Sequence, residues 1–199
     1  MSDDPVPLKV GALVLAAGFS DRFGSLKLCA PLPNGQTVFH QTLSNIRQST
    51  HEVLVITRPE VLPLIADENI DIGTFKDASS GMGATLAFGI KCLQKKEWDG
   101  CLICLADMPF IRPETYRKIS NNIRPDNIVI PHYQEKAGNP VGFGRDFFNR
   151  LSAHSGDSGG RAIIKDNPTS LLILKLDDPT ILQDIDTPED IERFNDSQW

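Results

Sequence analysis

The stretch VGALVLA, from Val10 to Ala16, is apolar at every position and stops two residues later at Gly18. A run of this length with no polar face has no side to turn to water, so it reads as a strand buried inside a parallel sheet. Parallel strands need long crossover connections, and the sequence supplies helical ones. After Thr37, Phe39, Leu43 and Ile46 fall at i, i+4 and i+7, and a second strand follows at Glu52 to Thr57. The alternation continues with a short helix over Pro59 to Ala66, a strand over Ile70 to Phe75, a helix with the apolar stripe Met82, Leu86, Ile90 and Leu93, and a strand over Cys101 to Ala106. Beyond Pro109 come a helix near Pro113 to Ile123 and strands near Asn127 to Pro131 and Val141 to Phe143. A helix through Arg161 to Ile164, a strand near Leu171 to Leu176 and a last helix from Thr187 complete the series. This pattern predicts an α/β layered fold with a mainly parallel sheet. The 199 residues suit one domain, without internal repeats, and the loop around Asp107 to Pro113 reads as a subdomain boundary.

Charge and cysteine usage narrow the function classes. Lys plus Arg is 20 against 26 Asp plus Glu, so the overall field attracts neither nucleic acid nor an anionic membrane, and a phosphate-bearing ligand needs a local site. No apolar run has the roughly 18 to 20 residues of a membrane span, and the start, MSDDPVPLK, is acidic and broken by proline; a cytoplasmic protein is expected. The four cysteines have irregular spacings, which fits a reducing compartment. Cys101 and Cys104 form a CxxC, but on a strand they face opposite sides, which argues against a zinc or redox pair. The four histidines lack metal-ligand spacing, and His40, beside a helical stripe, reads as structural.

Three segments carry candidate chemistry. In open α/β sheets ligands sit beyond the carboxyl ends of strands, and the long loop leaving the first strand contains Leu15, Ala16, Ala17, Gly18, Ser20, Arg22 and Lys27. Small residues let its backbone approach phosphates, Arg22 offers a two-pronged clamp and Lys27 a mobile point charge, an arrangement suited to a triphosphate. The same composition also fits a Gly-rich turn with solvated charges, and the order matches neither GxxxxGK[ST] nor GxGxxG. Asp107, ending the strand LICLAD, would hold Mg²⁺ jointly with substrate phosphates, or cap the next helix. Asp77 to Thr85 feeds the N-terminus of a helix, where Ser80 and Gly81 would meet an anion or a base edge, or where Ser79 or Ser80 simply caps. Asn139 with Pro140, and Gly156 with Asp157, lie in two turn-rich segments. Thr187-Pro-Glu-Asp190 reads as a helix start, whereas Asp184 and Asp186 are not explained by capping and share one face of an extended segment, where a metal contact is possible.

In order along the chain, AAGFSDRFGSLK resembles the LAAGxSxRMGxxK signature of the MobA-like nucleotidyltransferases. GMGATLAFG is similar to their GxxxSLxxG, LADMPF to LxDMP, GNPVGF to GHPVxF, GDSGGR to GDxGxR, and DIDTPEDI to their closing segment. The resemblance implies a Rossmann-like three-layer nucleotide-diphosphosugar-transferase fold with a mainly parallel mixed sheet, about residues 8–109 binding the NTP and about 110–199 the acceptor. It implies transfer of a nucleoside monophosphate with release of pyrophosphate. Leu15, Ala16, Ala17, Gly18, Ser20, Ser80 and Gly81 would bind the nucleotide, Arg22 and Lys27 its triphosphate, and Asp107 with Asp186 the Mg²⁺; Arg22, Lys27 and Asp107 would be catalytic. Asn139, Pro140, Gly156 and Asp157 would face the acceptor.

Ala17, where guanylyltransferases usually carry Gly, points to CTP rather than GTP, and the nearest branch takes molybdopterin cofactor as acceptor and hands its product to a molybdenum hydroxylase. Phe23, Thr85 and Asn139 depart from the usual Met, Ser and His. Asn139 falls in the acceptor half and leaves the acceptor open: a guanylyltransferase, a sugar-phosphate or phospholactate nucleotidyltransferase of the same fold, and a non-catalytic nucleotide-binding cofactor chaperone are the other readings.

Overall fold

The computed structural model describes residues 7–20, 23–24, 26–50, 52–67, 69–153 and 160–193. Its centre is the apolar run itself, strand β1 (Val10–Ala16), flanked by β2 (Val53–Thr57) on one side and β4 (Gly100–Leu105) on the other, both parallel to it. Strand β3 (Asp71–Thr74) adds parallel to β2. Past β4 the sheet becomes mixed: β7 (Val141–Gly144) runs antiparallel to β4 and to β5 (Ile128–Tyr133), and β8 (Leu171–Lys175) pairs parallel with β5. A two-residue strand β6 (Lys136–Ala137) forms a hairpin with the end of β5. The sheet is one continuous eight-stranded layer across the segment around Asp107 to Pro113.

Period-two alternation sorts the core packed on the sheet into two clusters, one on each face, beside a smaller third around Leu32, Val38, Phe110 and Ile185. Ala12, Val14 and Ala16 of β1, with Leu102 and Cys104 of β4, meet α1 (Val38–Arg47) through Phe39, Leu43 and Ile46, and α4 (Pro113–Ser120) through Tyr116 and Ile119. Leu13, Leu15, Cys101 and Ile103 point the other way. They meet Leu86, Ile90 and Leu93 of α3 (Met82–Leu93), Phe148 and Leu151 of α5 (Phe148–Ala153), and Ile163 of α6 (Arg161–Asp166). This is the three-layer mixed α/β arrangement expected, and it places Cys101 and Cys104 on opposite faces as free, buried thiols. Burial pushes both thiols well above the ordinary cysteine value.

The structure departs from the expected series at four points. Helix α5 and hairpin strand β6 were not foreseen, and the Pro59 to Ala66 helix contracts to α2 (Leu62–Ile65), with Pro63 in its first turn. Met82 does not join the apolar stripe of α3; it is 55% exposed. In a crossover the helix starts beyond the carboxyl end of the strand before it, so its first turn overhangs the sheet and has no core beneath it. Among the described residues no helix is long and apolar enough to cross a membrane.

Candidate active site

The carboxyl ends of β1 and β4 lie side by side, and the chain leaves both into the same space. Thr57 at the end of β2 donates its hydroxyl to the Ala16 carbonyl at 3.0 Å, fixing the point where β1 ends. Ala17 and Gly18 follow, and the loop turns at Ser20, which has a positive φ of 59°. Its hydroxyl accepts from the Lys27 amide at 3.4 Å, drawing the start of the Lys27–Cys29 turn back over the strand end. On the other side α3 begins at Gly81, whose φ of 98° and ψ of 172° suit only glycine, and which makes no side-chain cap bond. The two parts enclose a cavity of about 270 Å³ lined by Leu15, Ala16, Ala17, Gly18, Phe19, Ser20, Lys27, Gly81, Met82, Thr85, Asp107 and Asp184, among others.

Of the nucleotide-site candidates, seven therefore line one cavity: Leu15, Ala16, Ala17, Gly18, Ser20, Lys27 and Gly81. Ser80 is exposed beside it, in a short turn with Ala78, and Ala78 rather than Ser80 reaches the wall. Neither Ser79 nor Ser80 caps α3, so the first amides of that helix have no side-chain partner among the described residues at the cavity rim. Arg22, Gly156 and Asp157 lie outside the described residues. Asn139 and Pro140, joined by a cis peptide bond, lead into β7. Because β7 pairs with β4 up to Val141 opposite Ile103, they approach the same carboxyl end of β4 that carries Asp107.

The floor of the site is acidic. Asp107 follows β4 by two residues, and its carbonyl accepts from the Ile185 amide at 2.9 Å, which brings the distant C-terminal segment alongside. Ile185 is fully buried against Leu32, Val38 and Phe110, so its neighbours Asp184 and Asp186 turn the other way. The Asp186 and Thr187 amides and the Thr187 hydroxyl all donate to the Asp190 carboxylate in α7 (Pro188–Arg193), pinning the segment. The Thr187 amide donating to the carboxylate three residues on is the capping-box pairing of a helix start at Thr187, as the sequence predicts. Asp107 is no cap, since α4 starts from Arg112. One carboxylate oxygen from each of Asp107, Asp184 and Asp186 lies within 4.8 Å of the others.

Lys27 reaches into this cluster. Its Nζ is 2.6 Å from Asp107 Oδ2 and 3.0 Å from Asp186 Oδ1, and its side chain is only 12% exposed. Burial alone would lower the Lys27 pKa, but the two carboxylates outweigh it and hold the ammonium above its ordinary value. Burial raises the Asp107 carboxyl, and the charge of Lys27 opposes that only in part. The second Asp107 oxygen, Oδ1, is buried without a hydrogen-bond partner among the described residues. An orphaned buried carboxylate oxygen beside two further carboxylates is an all-oxygen donor set that suits a hard divalent cation such as Mg²⁺ or Mn²⁺. Asp184 completes this trio with the acids that the resemblance selects.

Two side chains at the rim carry no motif signal. Phe19, 48% exposed, and Met82 stand at the cavity mouth, and the Arg58 guanidinium lies 4.6 Å from the Phe19 ring centroid. A helical period assigns Met82 to the core, and nothing local marks Arg58; only the position of the helix start and the strand end reveals them.

Comparison with known proteins agrees with this fold. The MobA-like NTP transferase domain model matches residues 12–171. The purine catabolism protein PucB of Bacillus subtilis is 26% identical over 94% of this chain and 95% of its own length. A probable molybdenum cofactor guanylyltransferase of Geobacillus is 29% identical over 63% of this chain and 65% of its own. The molybdenum cofactor cytidylyltransferase of Escherichia coli is 23% identical over 91% and 93%. Among solved structures, Rv0371c of Mycobacterium tuberculosis superposes with a TM-score of 0.82 at 25% identity, covering 95% of this chain and 98% of its own; it has also been solved as a manganese complex. The chain belongs to the MobA-like NTP transferase family and is a nucleotidyltransferase.

Proposed function

We propose that this protein moves CMP from CTP to the terminal phosphate of molybdopterin cofactor, releasing pyrophosphate, in the cytoplasm where both substrates are available. Residues 8–109 form the NTP-binding half and 110–199 the acceptor half. The observation that carries the reading is the junction of two sites: a cavity walled by the backbone of Ala16, Ala17 and Gly18 opens onto the cluster of Lys27, Asp107, Asp184 and Asp186. Base and ribose would occupy the cavity against Gly81, with the triphosphate running toward Lys27.

The chemistry asks for alignment more than for covalent work. A terminal phosphate oxygen of the acceptor forms a bond to the α-phosphorus of CTP while the bond from that phosphorus to the pyrophosphate oxygen breaks. Lys27 and Arg22 would hold the triphosphate and neutralise charge that moves onto the leaving pyrophosphate. Asp107, Asp184 and Asp186 would hold Mg²⁺, which when bound supplies a fixed positive charge for phosphoryl oxygens. Asn139 and Pro140, beside the end of β4, would meet the acceptor; Gly156 and Asp157, outside the described residues, are assigned to it by the family resemblance alone. The product would then pass to a molybdenum hydroxylase.

CTP is favoured by Ala17, and GTP by the guanylyltransferase relative. The test is pyrophosphate release from CTP and from GTP with Mg²⁺ and molybdopterin cofactor. Release with CTP and cofactor supports the reading, release with GTP alone moves the protein to the guanylyl branch, and release with neither removes the acceptor assignment.

A further inference from the structure

Lys27 stands in two sites at once. Its ammonium bridges Asp107 and Asp186, yet the residue also lines the nucleotide cavity. The backbone of Lys27 is tethered through its amide to Ser20 Oγ, so the four methylenes of the side chain are what remain free to move the head. A divalent cation brought to the trio of carboxylates would meet an ammonium already 2.6 Å from one of their oxygens, and the two positive charges repel at that range.

We propose that Lys27 is the built-in counter-cation of the acidic cluster in the ligand-free protein. An incoming triphosphate draws the ammonium off Asp107 and Asp186 and so removes its repulsion of a divalent cation at the trio. Nucleotide and metal binding are then coupled through one side chain, and the coupling is reciprocal: each raises the affinity for the other. The exchange keeps a cation beside Asp107 throughout, so its buried carboxylate oxygen is never far from a positive charge. This inference rests on reading the trio as a metal site.

The test is titration of the full chain with Mn²⁺ alone, followed by electron paramagnetic resonance of the free ion. Lys27→Met is expected to bind Mn²⁺ at least about tenfold more tightly than the unaltered protein, and Lys27→Arg, which keeps the charge, to stay within about threefold of it. Lys27→Gln gives the same reading if the methionine variant does not fold. A Lys27→Met or Lys27→Gln protein that binds Mn²⁺ no better than the unaltered one overturns the exchange and leaves the metal site standing. Absence of Mn²⁺ binding in all variants overturns the metal site itself.

Discussion

Strands β1 and β4 are finished in opposite ways at their two ends. At the amino ends Trp98 is fully buried over Gly11, where a Cβ would sit 2.3 Å from the indole, so the ring occupies the space that glycine leaves. The indole nitrogen donates to Glu52 at 3.3 Å, Lys9 pairs with Glu52 at 3.3 Å, and the Lys9 amide donates to the Asp99 carboxylate at 2.9 Å. Arg145 closes on Asp99 at 3.1 Å. At the carboxyl ends there is a cavity instead of a ring, two large apolar side chains stand in water, and a buried carboxylate oxygen has no partner among the described residues. Unsatisfied groups and exposed apolar surface cost stability, so one end is built for holding and the other retains a deficit that a ligand removes.

Substitutions at either end test whether holding and turnover are separable. The largest expected effect is on turnover: Asp107→Asn should lower pyrophosphate release by about a thousandfold, about 4 kcal/mol of barrier, while the melting midpoint moves by no more than about 5 °C. Unaltered turnover would remove Asp107 from the chemistry. At the opposite end Trp98→Ala should cost about 3 to 5 kcal/mol in denaturant unfolding, with the kcat of the folded protein unchanged. A fall in kcat as large as that of Asp107→Asn would show that the two ends are not separable.

Smaller changes sharpen the contrast. Gly81→Ala forces a side chain into a backbone region that only glycine occupies freely, at a cost of about 1 to 3 kcal/mol, and should weaken nucleotide binding along with stability because the strain sits on the cavity wall. Nucleotide affinity and unfolding midpoint, measured on one sample, check that joint loss. The smallest effect belongs to Glu52. Burial alone would raise its pKa from 4.5, but the hydrogen bonds from Lys9 and Trp98 and the charge of Lys9 outweigh it and hold it lower. Its contribution is therefore present above pH 4.5 and lost as pH falls through the lower folded value. Glu52→Gln should be slightly less stable than the unaltered protein at pH 7, the difference shrinking as pH falls below 4.5, with no effect on turnover at pH 7.

Most of the sheet was legible because its signals are local. The apolar run of β1 coincides with the strand to the residue, and the stripe Phe39, Leu43, Ile46 marks the face of α1 that meets it. The opposite facing of Cys101 and Cys104 follows from the strand period alone. Helix α5 escaped because six residues give too little period to read, and β6 because two residues form a strand only when β5 is there to pair with. Met82 was misassigned because a period counts residues and cannot say where the core beneath a helix stops.

The site divides in the same way. Gly18, Lys27 and Asp107 could be singled out because each ends or follows a recognisable strand, and alternation puts Asp184 and Asp186 on one face. Their meeting with Lys27 could not be read from spacing: 159 residues separate Lys27 from Asp186, and the contact exists because Ile185 is buried and donates its amide to Asp107. The sequence by itself determined the strands, the helix faces and the residue types able to hold phosphate and metal, since these depend on periodicity and chemistry within short windows. Only the tertiary structure decided that an ammonium sits between two of the acids, that Phe19, Arg58 and Met82 stand at the rim, and that one end of the sheet is filled while the other is open. Those outcomes depend on which distant surfaces are brought together, and no local pattern carries that information.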